Sequence, residues 1–368
     1  MEILHVAYGG VIMSDYIRFL NENFDIDKHS VVILGNATDL SPELLEHGNA
    51  YILDIKKPRQ FFGLLSYIMS AELIILHSLG VQGLLKLFFL LNPSIMRKSV
   101  WVAWGGDLYQ WKRNGKDIVS KVSNCVNYMI RKRIRYFVGI FPPDIDFFKK
   151  EFQSSAKTFY ASYVGGLYSH FYNADLGLLT LEEKIARGET INIQIGHQCN
   201  PILNHIEVLE QLHKFKDENI RIFVPLSYGD MGWGDLVEDR ALSLFGHKVH
   251  CMREMMPKDD YLDYLSTIDI AIFNTPRQIG LGNITPLLFM KKKIFVPEGS
   301  VMYDFYTSLG IPIVDYNRVK SMDFNEFTHP VDMSKGKEYV LQNGLNKKKK
   351  VEMWRNVFNA SLGEEDKG

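Results

Sequence analysis

The stretch INIQIGHQCNPILNHIEVLEQLHKFKDENIRIFVPLSY (residues 191–228) contains a strand, a turn, a helix and a second strand. The apolar run 191–196 ends at a glycine, residues 202–217 have helical spacing, and 220–228 is a second apolar run. Short apolar runs bounded by turn residues are typical of strands buried on both faces, and an intervening helix predicts that they pair in parallel. This unit therefore predicts an α/β fold.

The same alternation extends through both halves of the chain. Strand candidates in the first half are 3–8, 30–35, 72–78, 99–105, 136–141 and 158–163, with helical patterns at 14–23, 58–70 and 116–132. The second half continues with strand candidates 247–252, 269–274, 293–297 and 310–315, and with helical patterns at 233–244, 258–267 and 282–291. Alternating strands and helices predict doubly wound parallel sheets. We therefore predict two Rossmann-like domains that face each other across a cleft.

The domain boundaries follow from where this alternation pauses. The N-terminal domain is predicted over residues 1–165 and the C-terminal domain over 191–334, with the less regular segment 166–190 as a linker. Residues 335–368 are predicted to form a helix that packs back, followed by an acidic tail. At 368 residues the chain is too long for one compact core, which agrees with two domains.

Composition narrows the class of protein. The formal net charge is −1, which gives no support to a nucleic-acid-binding protein. The three cysteines fit neither a disulfide framework nor a zinc site, and we expect a cytoplasmic protein. No signal peptide is visible, and the apolar run 73–91 is interrupted by polar residues and glycines, so we expect no membrane span.

Ligands of open parallel sheets bind at the carboxyl ends of strands, near helix N-termini. After the strand 191–196, Gly196 permits a tight turn, and Asn200 or Asn204 can cap a helix whose N-terminus would attract phosphate. After the strand 220–228, Ser227 and Tyr228 can offer a hydroxyl and a ring to a nucleotide. Ordinary turns explain both segments as well.

A more specific signal is FNTPRQIGLGNITPLLF, residues 273–289. Backbone amides at the start of a helix, together with one arginine, make a cradle for a diphosphate; a structural loop is the alternative. The polar and glycine residues of interest are Asn274, Arg277, Gln278, Gly280, Gly282 and Asn283. Glu298, after the next strand, can reach a sugar hydroxyl or is an exposed turn acid.

In the first domain, WVAWGGDLYQW (residues 101–111) places three tryptophans around a Gly-Gly-Asp turn. Flat apolar faces stack on sugar rings, and a carboxylate beside a sugar hydroxyl can act as a general base. We therefore predict Asp107 as the base, and an acceptor site formed by Trp104, Gly105, Gly106, Tyr109 and Trp111. The alternative is that Asp107 caps the next segment and Trp101 belongs to the core.

Metal chemistry has little support in the sequence. The pair Asp144 and Asp146 is typical of acids that hold a divalent metal, but Asp144 as a helix N-cap is the simpler interpretation. The histidines lack metal-ligand spacing, so we predict no catalytic metal and no cofactor. The basic runs 131–135 and 347–350 are solvated faces or would be attracted to an anionic membrane.

Four segments together resemble the bacterial TDP-N-acetylfucosamine:lipid II N-acetylfucosaminyltransferase family of enterobacterial common antigen synthesis. They are WVAWGGDLY (101–109), IGHQCNPILNH (195–205), FVPLSYG (223–229) and RQIGLGNITPLLFMKKKIFV (277–296). The first and last are the specific ones. The resemblance spans about residues 72–315 and departs from the family pattern at His197, Gln198, Cys199, Asn283 and Pro286.

The resemblance implies a GT-B glycosyltransferase that needs no metal. Its N-terminal domain would hold a polyprenyl-diphosphate-linked glycan and its C-terminal domain a nucleotide-sugar, at the inner face of the cytoplasmic membrane. Asp107 and Arg277 would be catalytic. The donor would contact Gly196, Asn204, Ser227, Tyr228, Asn274, Gln278, Gly280, Gly282, Asn283 and Glu298. The alternatives are a nucleotide-sugar 2-epimerase and a non-catalytic partner subunit of the same fold.

Overall fold

The computed structural model describes residues 2–35, 44–45, 47–80, 84–112, 115–173 and 177–363. The chain forms two compact units, the first made of Met1–Tyr168 with Leu345–Gly368 and the second of Ser169–Gly344. Each unit contains one sheet, and every strand pairing in the described residues is parallel.

The first unit has a seven-stranded sheet of order β3-β2-β1-β4-β5-β6-β7. Its strands are β1 Ile3–Tyr8, β2 His29–Leu34, β3 Ala50–Leu53, β4 Leu73–His77, β5 Ser99–Ala103, β6 Tyr136–Gly139 and β7 Lys157–Tyr160. Its helices are α1 Val11–Asn23, α2 Pro58–Ser70, α3 Leu84–Leu91, α4 Pro93–Arg97, α5 Gly106–Tyr109, α6 Ile118–Arg133, α7 Pro142–Phe152 and the C-terminal helix Lys347–Leu362.

The second unit has a six-stranded sheet of order β10-β9-β8-β11-β12-β13. Its strands are β8 Ile191–Ile195, β9 Ile220–Pro225, β10 Val249–Met252, β11 Ile270–Ile272, β12 Lys293–Val296 and β13 Val314–Asp315. Its helices are α8 Leu181–Ala186, α9 His205–Leu212, α10 Met231–Phe245, α11 Lys258–Thr267, α12 Leu281–Phe289, α13 Val301–Ser308, α14 Phe324–Thr328 and α15 Ser334–Tyr339.

Both faces of the first sheet are covered, which explains its nearly continuous apolar strands. Along β1, Leu4 and Val6 belong to one apolar cluster while Ile3 and Ala7 belong to another. Successive side chains of a strand point to opposite faces, so the sheet needs an apolar layer on each side. The predicted alternation of strands and helices in a doubly wound fold is confirmed.

Strand β3 was not predicted from the sequence. It is a four-residue edge strand in which Tyr51 and Ile52 are exposed, so it lacks the buried run that identifies the other strands.

The domain division also differs from the predicted one. Helix α8 lies in the predicted linker, but Lys184 on it forms a 2.9 Å ion pair with the buried Asp269, which ties it to the second unit. The predicted helix beginning at residue 335 changes to a π-helical turn at Val340–Gly344 and then breaks. A separate helix, Lys347–Leu362, packs with the first unit through Trp354 and Phe358.

Candidate functional site

The carboxyl edge of the second sheet gathers many of the residues predicted to bind a donor. Asn204 Nδ2 donates a 3.1 Å hydrogen bond to the carbonyl oxygen of Asn274, which joins the loops after β8 and β11. Gln194 Nε2 donates to Asn283 Oδ1 at 3.2 Å, so the first turn of α12 lies against the end of β8. Asn204 occupies the N-cap position of α9, but its side chain makes no capping bond, contrary to one of the predicted roles.

Two glycines allow this close approach of loops. Gly196 and Gly280 have φ of 62° and 74°, in the left-handed region that favours glycine. A Cβ at Gly196 would lie 2.5 Å from His205 Nε2, and a Cβ at Gly280 would lie 2.9 Å from the His197 ring. Each glycine therefore makes room for a histidine that the sequence analysis did not assign to the site.

Three buried polar atoms at this edge have no hydrogen-bond partner: His197 Nδ1, His205 Nε2 and Gln278 Oε1. An unsatisfied buried polar atom costs about 1–3 kcal/mol, and a cluster of them calls for a ligand or water. Burial lowers the pKa of His197 to about 3, with the charges of His205 and Arg277 acting in the same direction, and burial lowers the pKa of His205 to about 4. Both imidazoles are therefore neutral at pH 7.

Arg277 lies in the same loop, immediately before α12. It is buried, and its Nη1 donates to the carbonyl oxygen of Gln278 at 2.9 Å. Gly280 is the N-cap of α12 and no side chain caps that end. The first backbone N–H groups of a helix lack intrahelical partners and carry partial positive charge. The predicted role of the arginine and the helix start as a diphosphate cradle stays a prediction.

A second layer of polar side chains holds Asn283 in place. Tyr261 donates a 2.5 Å hydrogen bond to Asn283 Oδ1, and Tyr264 donates to Gln194 Oε1 at 3.0 Å. Because Gln194 also donates to Asn283, four side chains from β8, α11 and α12 form one network. The predicted donor role of Asn283 stays a prediction, and its oxygen is already engaged. Nothing in the sequence spacing connects Tyr261 or Gln194 with this loop.

The remaining predicted donor residues are less closely tied to this edge. Tyr228 is 44% exposed, and its carbonyl oxygen accepts from Cys199 N, which joins the loops after β8 and β9. Ser227 is half-buried beside it. Gly282 lies in the first turn of α12, where a Cβ would meet open space. Glu298 follows β12 and its side chain is exposed.

In the first unit, Asp107 is held by three donors rather than left uncovered. Its Oδ1 accepts from Trp104 N at 2.8 Å. Its Oδ2 accepts from Leu79 N at 2.8 Å and from Trp101 Nε1 at 2.7 Å. Arg131 donates to the Asp107 carbonyl oxygen at 2.9 Å. These bonds join the loops after β4 and β5 and give Asp107 a structural role. It does not cap the next segment, because α5 has Gly105 as its N-cap and no side-chain capping bond. The general-base role stays a prediction.

The rings of the three tryptophans do not together form a surface on which a sugar could stack. Trp101 is fully buried, and Trp111 is only 8% exposed and packs on Phe152, so both belong to the core. Tyr109 donates to Asp144 Oδ1 at 2.8 Å. The acceptor role predicted for Trp111 is corrected by this packing, because its ring faces are covered. Trp104, between Gly105 and the end of β5, is partly exposed and remains the available ring.

A line of buried polar rings leads to Trp104 and was missed at the sequence level. His5 lies between two other strand histidines, 3.0 Å from His29 Nδ1 and 3.2 Å from His77 Nε2. His77 Nδ1 is 2.5 Å from the Tyr163 hydroxyl, to which Trp104 Nε1 donates at 2.7 Å. Burial lowers the pKa of His77 to about 3 and that of His29 to about 4. This chain of contacts fixes the orientation of the Trp104 ring.

The described residues contain no group of three or more histidine, cysteine or acidic side chains arranged to hold a metal ion. Asp144 lies in the first turn of α7, whose N-cap is Phe141, so its predicted N-cap role is wrong. It serves instead as the acceptor for Tyr109. None of the helices in the described part of the chain is long and apolar enough to span a membrane.

Three solved GT-B glycosyltransferases have a fold similar to that of this chain. Anabaena HepE in complex with UDP has a TM-score of 0.66 at 11% identity, over 98% of this chain and 100% of that chain. WaaG, a glycosyltransferase involved in lipopolysaccharide biosynthesis, has a TM-score of 0.62 at 9% identity, over 100% of both chains. Sucrose-phosphate synthase from Thermosynechococcus elongatus has a TM-score of 0.63 at 11% identity, over 98% and 100%. The fold is therefore of the GT-B type.

The sequence gives the family. Residues 75–301, more than half of the chain, match the family described as 4-alpha-L-fucosyltransferase, glycosyl transferase group 56. The chain belongs to this family, as the resemblance of its specific segments implied, and it is a glycosyltransferase. The matched range includes Asp107 and the whole loop that carries Arg277 before α12.

Proposed function

We propose that this glycosyltransferase moves a deoxyamino hexose, such as N-acetylfucosamine, from a nucleoside diphosphate to a polyprenyl-diphosphate-linked glycan. TDP is the first candidate for the nucleotide, because the sequence resembles TDP-sugar transferases. The observation that carries the proposal is the cluster of buried, unpaired polar atoms beside the start of α12. The product would enter the synthesis of a cell-surface polysaccharide.

The arginine and the helix start beside this cluster fit a diphosphate. A guanidinium and free backbone N–H groups attract an anion in a region from which most water is excluded. In the proposed reaction Arg277 and the first turn of α12 stabilise the negative charge that develops on the departing diphosphate. These groups would supply this stabilisation without a divalent metal. The UDP bound to the structurally similar HepE supports a nucleotide ligand for the fold.

On the acceptor side, we propose that Trp104 contacts the acceptor glycan and that Asp107 is a positioning residue. Asp107 accepts hydrogen bonds from Trp104 N and Leu79 N at the same time. Its carboxylate therefore holds the loop after β4 against the loop after β5, which carries the partly exposed Trp104 ring. We place the enzyme in the cytoplasm at the inner face of the membrane, where a polyprenyl-linked acceptor is accessible. The membership of the fucosyltransferase family supports this choice of substrates.

The test of the donor assignment is nucleotide binding. Purified protein is titrated calorimetrically with TDP, UDP, GDP and CDP, first without metal and then with magnesium, and thermal shifts are recorded in parallel. We expect one nucleotide to bind without metal. We expect that binding to weaken strongly in Arg277→Ala and to remain in Arg240→Ala, which removes an exposed arginine of α10.

Two results would contradict the proposal. Absence of binding by all four nucleotides would favour a non-catalytic partner subunit. Conversion of a nucleotide-sugar without any acceptor would favour the epimerase.

A further inference from the structure

Two neighbouring helices of the first unit carry large apolar side chains in solvent. Helix α3 packs against α6, and together they expose Leu87, Leu91, Ile118, Val119 and Val122, which we call the α3–α6 surface. Ile118 is 79% exposed, Val119 68% and Leu91 67%. Large apolar side chains exposed together on neighbouring helices are typical of an interaction surface.

The spacing along α6 shows that this exposure is organised. Ile118, Val122, Cys125 and Met129 are separated by four, three and four residues, so they share one stripe of the helix. The opposite stripe, with Asn127 and Ile130, is buried against the unit. The fold therefore leaves the apolar stripe of α6 largely in solvent and buries a more polar side of the helix.

The charged side chains within these helices are all basic, and one acid, the N-cap Asp117, lies just before Ile118. Helices α3, α4 and α6 contain no aspartate or glutamate. Their exposed or half-buried basic residues are Lys86, Arg97, Lys121, Lys132 and Arg133. Apolar side chains among lysines and arginines are typical of helices that lie in the interface of an anionic bilayer.

The same charges argue against a second copy of this chain as the occupant. A two-fold dimer through this face would bring the same surface of each copy together, and the basic residues of both copies would be juxtaposed. An anionic bilayer neutralises them and covers the apolar side chains. We infer that the α3–α6 surface is the site at which this enzyme docks on anionic phospholipid.

This inference rests on the proposed function for the choice of a membrane as the partner, while exposure and charge define the surface. Docking through α3 and α6 would hold the first unit at the bilayer, where the lipid-linked acceptor is accessible. It would not involve the loop that carries Arg277, which lies in the second unit.

The experiment is flotation of the full chain with vesicles of phosphatidylglycerol and phosphatidylethanolamine, compared with vesicles of phosphatidylcholine alone. The wild type is expected to float with the anionic vesicles only, and less at high salt, because salt screens exposed charges. Lys121→Ala should lower the partition coefficient about fivefold.

The apolar part of the surface is tested with matched variants. Ile118→Glu/Val122→Glu is expected to lower the partition coefficient by at least about tenfold. Two apolar side chains that would be buried in the bilayer are replaced by negative charges, which anionic lipid repels. The control is Leu236→Glu/Leu242→Glu on α10 of the second unit, where Leu236 is 58% exposed, as is Val122. The control should float like the wild type.

Three results would overturn the inference. They are equal flotation of the two double variants, wild-type flotation that ignores lipid charge, or a wild-type dimer that Ile118→Glu/Val122→Glu converts to a monomer. Nucleotide binding is measured on every variant. Loss of flotation with normal nucleotide binding shows a folded protein with its donor site intact. A wild type that floats as expected but binds no nucleotide would refute the proposed donor, and the inference of membrane docking would still hold.

Discussion

The carboxyl edges of the two parallel sheets both carry polar side chains, but these side chains differ in how they are hydrogen-bonded. In the first unit Asp107 accepts three hydrogen bonds from its own surroundings, and Trp104 and His77 both bond to Tyr163. In the second unit the buried atoms His197 Nδ1 and Gln278 Oε1 have no partner. Polar groups that satisfy one another make a rigid loop, whereas unsatisfied ones favour a ligand. The first unit also has such an atom, the Tyr16 hydroxyl, beside His77. The three bonds to Asp107 favour a structural role for its loop, and the unpaired atoms are the reason for proposing a ligand at the second edge.

The largest expected effect is on the second edge, where Arg277 faces the proposed diphosphate. Removing one preorganised positive group from a developing anion costs roughly 10²- to 10³-fold in rate. Arg277→Ala should therefore lower kcat by that factor in a transfer assay with nucleotide-sugar and acceptor. The kcat of the control variant Arg240→Ala should equal that of the wild type. Normal turnover of Arg277→Ala would remove the contrast between the two edges.

The first edge predicts a loss of stability in Asp107→Asn. One of the three donors would face an amide N–H₂ instead of an oxygen, and hydrogen bonds to charged groups are worth about 1.5–3 kcal/mol. Urea unfolding should show a decrease of this size in the free energy of unfolding, while Asp263→Asn, an exposed acid on α11, should show none. A variant with wild-type stability and no activity would restore the general-base role of Asp107.

Gly280, the N-cap of α12, and Gly282, in its first turn, provide a matched pair of substitutions. Gly280→Ala places a side chain at a φ of 74° with its Cβ 2.9 Å from the His197 ring, and left-handed strain alone costs about 1–3 kcal/mol. Gly282→Ala adds a Cβ in open space within a helix, and its stability should equal or slightly exceed that of the wild type. Thermal unfolding of both variants without nucleotide tests this. Equal melting temperatures would show that the approach of Gly280 to His197 is not required.

The histidines of the first unit predict acid sensitivity. Folding lowers the pKa of His77 to about 3 and of His29 to about 4, so between these values and about 6.5 the unfolded state binds more protons. Stability should therefore fall as pH falls below about 6.5, by about 1 kcal/mol per histidine at pH 5.5. Urea midpoints at pH 7.5 and 5.5 measure this loss, which should be smaller in His77→Phe. A midpoint independent of pH would contradict the burial of these rings.

Sequence reasoning was reliable where a property is local or periodic. Buried strands such as β4 are visible as apolar runs, and the loop before α12 is visible from its arginine and glycines. The four-residue edge strand β3 lacks such a run. The interruption at residues 340–344 was likewise not visible in the helical pattern that begins at 335.

The doubly wound fold, the family and the loops that carry polar side chains follow from the amino-acid sequence alone. The core position of Trp111 and the three donors that hold Asp107 are visible only in the folded chain. The same is true of the close approach of His197 to Gly280. Strand and helix periodicity depends on neighbours along the chain, whereas burial and hydrogen bonding depend on residues far away in sequence. Leu79 and Asp107 are such a pair, as are His197 and Gly280.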